Sequence, residues 1–261
     1  MRDKTKKHVN IPIFIPHLGC PNTCVFCNQR SISGRQEFEC SSVIDEIEEA
    51  LDTIPSDYEV EIAYFGGSFT GIDRSLMIYL LDVAKKYIDR EDDGRARVMG
   101  IRMSTRPDYI SGEIMEILSN YPIKTVELGL QSMDDGVLMR SKRGHSASDA
   151  ERACKMIKDA GYKPMVYASR RMAYFKFDLS RLKDYDFWLA EYSDEPTMYY
   201  NFDMWQYSCE GQIDGIEGEI DMNICFKDYS KEEEEAPPEE TTVTTTAPET
   251  TTAEETSQST E

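Results

Sequence analysis

Three thiols stand close together near the start of the chain, Cys20, Cys24 and Cys27, at the spacing C-x3-C-x2-C. Thiolates are the usual protein ligands of iron–sulfur clusters, and soft sulfur selects iron–sulfur, zinc or copper(I) over hard cations. Three such ligands can hold three irons of a cubane [4Fe–4S] cluster and leave the fourth iron open to another molecule. A structural zinc site wants a fourth ligand and paired C-x2-C knuckles, and the chain carries no second knuckle. Cys40, Cys154, Cys209 and Cys225 are scattered and read as small buried hydrophobes. A Cys209–Cys225 disulfide stays open, because spacing does not reveal connectivity.

The elements that must position this loop follow from periodicity. Residues 11–15 read as a first strand. Ser42 reads as an N-cap, with Ile44, Ile47, Leu51 and Ile54 on one helical face that Pro55 ends. Val60, Ile62 and Tyr64 alternate with polar residues up to Phe65, a strand that runs straight into Gly66 and Gly67. Asp73 caps a helix with Leu76, Leu80, Leu81, Ala84 and Ile88 on one side. Strands follow at 97–103 and 124–130, separated by a short helix after Ser111. Ser148 and Glu151 read as a capping box opening a helix that Gly161 ends. Strands alternating with helices at these intervals predict right-handed βα units on a parallel sheet. Sites on such sheets gather at the strands' C-terminal ends. The cysteine loop, Gly66-Gly67-Ser68, Ser104 to Asp108 and Glu127 to Ser132 all fall there.

The cysteine loop, with Phe26 directly before the third cysteine, resembles the cluster loop of the radical SAM enzymes. The wider context, Phe14 to Cys20 and Gly66 to Gly71, is similar to the Elp3-like and coproporphyrinogen-oxidase-like branch over roughly residues 8–162. The resemblance implies that Cys20, Cys24 and Cys27 hold a [4Fe–4S] cluster and that S-adenosylmethionine (SAM) occupies the open iron. Reductive cleavage of SAM would then generate a 5′-deoxyadenosyl radical that acts on an unknown substrate. It implies that Phe26 packs near the adenine and that the Gly66-Gly67-Ser68 turn holds the SAM amino group. Ser68 departs there from the common Gly-Gly-Glu form. Arg106 matches the Elp3-like pattern and Gln131 would face the SAM ribose; direct contact and a supporting position are both open for these two. The chemistry also implies an electron donor such as flavodoxin or ferredoxin.

Past Lys163 the text changes. Strands centred on 164–169, 186–192 and 202–207 come too close together for full βα repeats, whose crossovers need a dozen or more residues. Residues 161–229 resemble the C-terminal part of a family 25 glycoside hydrolase, a lysozyme-type muramidase. Trp205-Gln206-Tyr207 and Asp214 to Asn223 carry the likeness. It implies contact with peptidoglycan through this part and a catalytic role for Asp221. A glycosidase needs two placed carboxylates, and the family's principal pair comes from the half not represented here. Glu191 and Asp203 read as strand-end residues; Trp188, Trp205 and Tyr207 read as either sugar-stacking or core.

The expected fold class is therefore α/β. A partial TIM-like (β/α) barrel of radical SAM type would span 1–162, completed by hydrolase-like barrel strands at 163–229. Facing core residues in such a hybrid were never selected together. A cavity-type mismatch costs about 2–5 kcal/mol against a total of roughly 5–15 kcal/mol, so marginal folding is expected. Residues 230–261 are Glu-, Thr- and Pro-rich, with Val243 their one large apolar residue, and read as a disordered tail. Of a net charge of −20, the tail contributes heavily, with ten Glu against one Lys in 231–261. The remainder offers no broad basic face for nucleic acid. No apolar run is long enough to span a membrane, and residues 11–16 are too short and proline-broken for a secretion signal. Three function classes result: a cytoplasmic radical SAM enzyme, a secreted muramidase fragment lacking its principal carboxylates, or an inactive hybrid arising at the Lys163 junction.

Overall fold

The computed structural model describes residues 7–15, 18–20, 24–27, 38–212, 219–227 and 229. The predicted tail at 230–261 lies outside them.

Strand β1 (Lys7–Ile15) begins four residues earlier than its apolar run. Val9, Ile11, Ile13 and Ile15 are buried while the residues between them are half-buried or exposed. This is the period-two signature of a strand with one face against a core. Helix α1 (Val43–Thr53) lays Val43, Ile47 and Leu51 on that core. Ile44 is exposed, because the buried face steps from 43 to 47 to 51 and residue 44 lies about 100° around the helix from 43. Ser42 stands at the N-cap but follows a 3₁₀ turn in helical conformation, and its hydroxyl bonds Glu46 instead of a backbone amide.

β2 (Tyr58–Gly66), α2 (Arg74–Ile88), β3 (Arg97–Thr105), α3 (Gly112–Leu118) and β4 (Ile123–Leu128) continue the alternation. Asp73 caps α2 as expected, and Ser111 caps α3, each accepting from amides of the first turn. All four strands pair in parallel in the order β1-β2-β3-β4. Registers pair Ile15 with Gly66 and Thr105 with Leu128. Tyr64 stacks on Phe69 with ring centroids 4.6 Å apart and donates its hydroxyl to Leu80 O at 2.5 Å, tying β2 to α2.

Two further helices follow β4. Helix α4 (Asp135–Arg140), unforeseen from periodicity, is capped by Asp134. Helix α5 (Ala147–Asp159) opens one residue after Ser146, and the capping box is Ser146 with Asp149, not Ser148 with Glu151. Ser148 already lies inside the first turn. Hydrogen bonds from the Ser146 backbone and hydroxyl, then from Arg152, hold the Asp149 carboxyl down at about 2. Its folded value is depressed, so its contribution is present above the unfolded value near 4 and is lost as pH falls through about 2. Ser146→Ala should cost about 1 kcal/mol in urea unfolding at pH 7. Asp149→Asn should flatten the loss of stability between roughly pH 4 and pH 2.

Past Gly161, at φ +93°, the second sheet begins. It comprises β5 (Met165–Ser169), β6 (Asp186–Ala190), β7 (Met204–Gly211) and β8 (Ile220–Cys225) in that order. The first three are parallel, and β8 runs antiparallel to β7. A short helix, α6 (Arg170–Lys176), crosses from β5 to β6, so the first connection here does carry a helix, contrary to expectation. Among the described residues the two sheets form separate ladders of four, with no β4–β5 pairing, so the expected continuous hybrid barrel is not closed by hydrogen bonds at this seam.

The buried side chains divide at the same place. One cluster draws on residues 9–153 with neighbours up to Tyr162, and the other on Ala168, Ala173, Phe187, Leu189, Met198 and Trp205. Trp205 belongs to that core and Trp188 donates to Asn223 Oδ1, while Glu191 pairs with Arg170 and Asp203 accepts from Phe187 N.

No disulfide joins any of the seven cysteines, and none of Cys40, Cys154, Cys209 and Cys225 is buried. Register pairs Cys225 with Met204. Cys209 is five residues further along β7, about 17 Å at strand rise and beyond disulfide reach. Among the described residues no helix is long and apolar enough to cross a membrane.

Candidate functional site

The strand registers bring four loops to one edge of the first sheet. The cysteine loop leaves β1, the glycine turn leaves β2, Arg106 leaves β3, and Gly129 to Gln131 leave β4. The first two are joined backbone to backbone. Gly67 N donates to Ile15 O and Ser68 N to Leu18 O.

Glycine is required at this seam by close approach. A Cβ on Gly67 would fall 2.2 Å from Leu18 O, and one on Gly19 would fall 2.1 Å from Ser68 O. Gly19 also has φ +70°, the left-handed region that other residues resist. The resemblance implies that the glycine turn holds the SAM amino group. The structure fills the Cβ direction of Gly67 with the cysteine loop itself.

Ser68 is buried, and its hydroxyl faces inward. Ser68 Oγ lies 2.9 Å from Thr105 Oγ1 and accepts from Arg106 N at 3.2 Å, while Thr70 Oγ1 contacts the same threonine at 2.5 Å. This hydroxyl chain ties the ends of β2 and β3 together.

Arg106 is buried to 1% exposure yet keeps its charge satisfied. It forms a bidentate pair with Asp108, at 2.9 and 2.7 Å, and its Nη1 lies 3.9 Å from Cys20 Sγ. Arg143, which follows α4, does the same for the second cysteine, with Nη1 3.8 Å from Cys24 Sγ and Nη2 donating to Gly129 O at 2.6 Å. His145 lies behind them. Its Nε2 meets Leu130 O at 3.1 Å and its Nδ1 lies 3.9 Å from Asp108 Oδ1. Burial, then the Arg143 charge, holds the ring below its usual range.

Of the predicted residues, Cys20, Cys24, Gly66, Gly67, Ser68 and Arg106 share this neighbourhood. Cys27 N bonds Cys24 O, which turns the loop. Phe26 is exposed. Gln131 is exposed and held at φ +70°, a conformation uncommon for a long side chain and found where surroundings impose it. Asp221 stands apart on β8, and burial, then Glu127 from the first sheet, raises its carboxyl pKa.

Arg143 and His145 are not singled out by sequence reasoning, and Thr105 enters it only within the Ser104 to Asp108 stretch. The available signal was a cluster of Arg140, Lys142 and Arg143 in an otherwise acidic chain, just past the overlooked α4.

No three His, Cys, Asp or Glu side chains among the described residues converge as a metal-ligand set. The donor chemistry nevertheless fits an iron–sulfur group. The loop offers soft sulfur, and two of its sulfurs sit beside guanidinium cations suited to an anionic, thiolate-held cluster.

The tRNA uridine(34) acetyltransferase of Methanocaldococcus infernus is 35% identical over 72 residues, 28% of this chain and 14% of that protein. The chain thus spans a small part of the curated relative it matches. Among solved structures, the archaeal Methanocaldococcus infernus Elp3 with an N-terminal deletion gives a TM-score of 0.47 at 16% identity, covering 70% of this chain and 45% of that one. The bacterial lysozyme from Streptomyces coelicolor gives 0.36 at 13% identity, covering 66% and 82%. Neither structural likeness is close enough to bear on function. The profile of the radical SAM superfamily matches residues 14–178. That span takes in all four loops at the sheet edge, the cysteine loop among them, and it runs past Lys163 through β5 and α6. Matched over more than half its length, the chain belongs to the radical SAM superfamily.

Proposed function

We propose that this chain is a radical SAM iron–sulfur protein in which Cys20, Cys24 and Cys27 hold a [4Fe–4S] cluster and the adjoining strand ends hold SAM. Superfamily membership implies both cofactors. The observation that carries the residue assignment is the backbone junction between the cysteine loop and the glycine turn, with a guanidinium set against each of two cysteine sulfurs. When bound, the reduced cluster supplies the electron that cleaves SAM to methionine and a 5′-deoxyadenosyl radical.

The chain's own residues do the positioning. Gly66 and Gly67 let the turn and the loop lie in contact, with the turn's backbone groups offered to the amino-acid end of SAM. Ser68 acts through Thr105 and the Arg106 amide, not through direct contact. Phe26 and Gln131, both exposed at the loop edge, are the candidates for adenine and ribose. The electron comes from a donor of the flavodoxin or ferredoxin class, and an oxidisable cluster suits a reducing compartment such as the cytoplasm. The substrate attacked by the radical is a molecule this site does not name.

Anaerobic reconstitution with iron and sulfide tests the reading. The expected product shows broad visible absorbance and, with dithionite, converts SAM to methionine and 5′-deoxyadenosine. Protein that takes up zinc or no metal would overturn it. The C-terminal sheet supplies Asp221 without the principal carboxylate pair of a muramidase, so no clearing of bacterial wall suspensions is expected. Clearing would move the assignment to that half.

A further inference from the structure

The turn after α4 contributes to the cysteine loop without supplying a ligand to it. Ser141, Lys142 and Arg143 face the loop in succession. Ser141 O accepts from Val25 N at 3.1 Å, Lys142 O accepts from Cys24 Sγ at 3.6 Å, and Arg143 Nη1 lies 3.8 Å from the same sulfur. Lys142 sits within this turn at φ +56°. Arg143 is nearly buried, and its second nitrogen is anchored on Gly129 O at 2.6 Å. A Cβ on Gly129 would lie 2.8 Å from that nitrogen, so glycine there leaves room for the guanidinium.

The two contacts on Cys24 respond oppositely to ligation. A sulfur bound to iron carries no proton, so its bond to the Lys142 carbonyl is absent in the loaded state. The Arg143 contact persists and becomes a cation–thiolate pair, ionised on both sides and so among the stronger hydrogen bonds. Hydrogen bonds to ligand sulfurs set the potential of iron–sulfur centres, and a fixed cation favours the more negative, reduced form.

We propose that Arg143 is a positioning residue that locks the Cys24 segment and raises the reduction potential of the cluster. This rests on the reading that the three cysteines hold a cluster. The test is an electron-paramagnetic-resonance redox titration of anaerobically reconstituted full-length protein, with iron and sulfide assayed in parallel. Arg143→Met is expected to load as the wild type does but to be about tenfold less reduced at a fixed potential, which is about 59 mV for one electron. Arg140→Met removes an exposed charge from the same region, away from the sulfur, and is expected to keep the wild-type potential. Gly129→Ala keeps the Arg143 charge but crowds it, and is expected to shift the potential in the same direction as Arg143→Met. A wild-type potential in a loaded Arg143→Met protein overturns the inference. Should that variant fail to load, Gly129→Ala decides: a lowered potential supports the contact and an unchanged one overturns it. Failure of the wild type itself to load would instead sink the cluster assignment beneath it.

Discussion

Cys24→Ala should leave the protein unable to retain iron and sulfide. After anaerobic reconstitution, its visible absorbance and metal content should fall at least about tenfold, to the background of unreconstituted protein, because a cluster held by three thiolates loses a third of its protein ligands. Cys24 is the buried member of the trio and the one whose sulfur meets both Lys142 O and Arg143. Its loss therefore removes a ligand and loosens the loop's hold on the turn after α4. Cys154, exposed on α5 away from the loop, provides the contrast. Cys154→Ala should load as the wild type does. Equal iron and sulfide in the two variants would refute the assignment of Cys24 as a ligand.

Gly19→Ala should be nearly as damaging, for a different reason. The added methyl would sit 2.1 Å from Ser68 O and 2.7 Å from the backbone of Gly71 and Ile72. Backbone atoms cannot swing aside as a side-chain tip can. The loop and the turn must part, which breaks the Ser68 N to Leu18 O bond. The left-handed conformation adds about 1–2 kcal/mol for any residue with a Cβ. With roughly 2–4 °C of melting temperature per kcal/mol in a domain of this size, strain alone lowers Tm by several degrees, and the clash adds to it. Cluster loading should collapse even though every cysteine remains. Gly94→Ala isolates the conformational part: Gly94 also has positive φ, at +83°, yet its Cβ would meet nothing within 4 Å. That variant should show the smaller Tm loss and load normally. Normal loading by Gly19→Ala would mean that the junction with the glycine turn does not position the cysteines.

Much of this protein was legible in one dimension. The thiol spacing, the run of β2 into Gly66 and the cap at Asp73 are local patterns, because a strand or helix writes its period directly into the chain. The parallel first sheet followed from those periods and the short connections between them. Errors arose where a local signal had a near neighbour of equal quality. Ser146 with Asp149 outcompeted Ser148 with Glu151, and Val43 took the buried position offered to Ile44. Helix α4 was missed because six residues carry too little periodicity to register.

What only the tertiary structure decided is which distant residues share a sulfur and which backbones touch. Arg143 reaches Cys24 across 119 positions, and Arg106 reaches Cys20 across 86. Neither pairing leaves a mark on local spacing, since it depends on how successive βα units stack side by side. The same holds for Gly67, whose missing side chain makes way for the cysteine loop, and for the two buried clusters that part company after Tyr162. Sequence determines the elements and the chemistry each can bring; packing determines which of those groups meet, because contact energy is set by neighbours in space and the chain order constrains them only weakly.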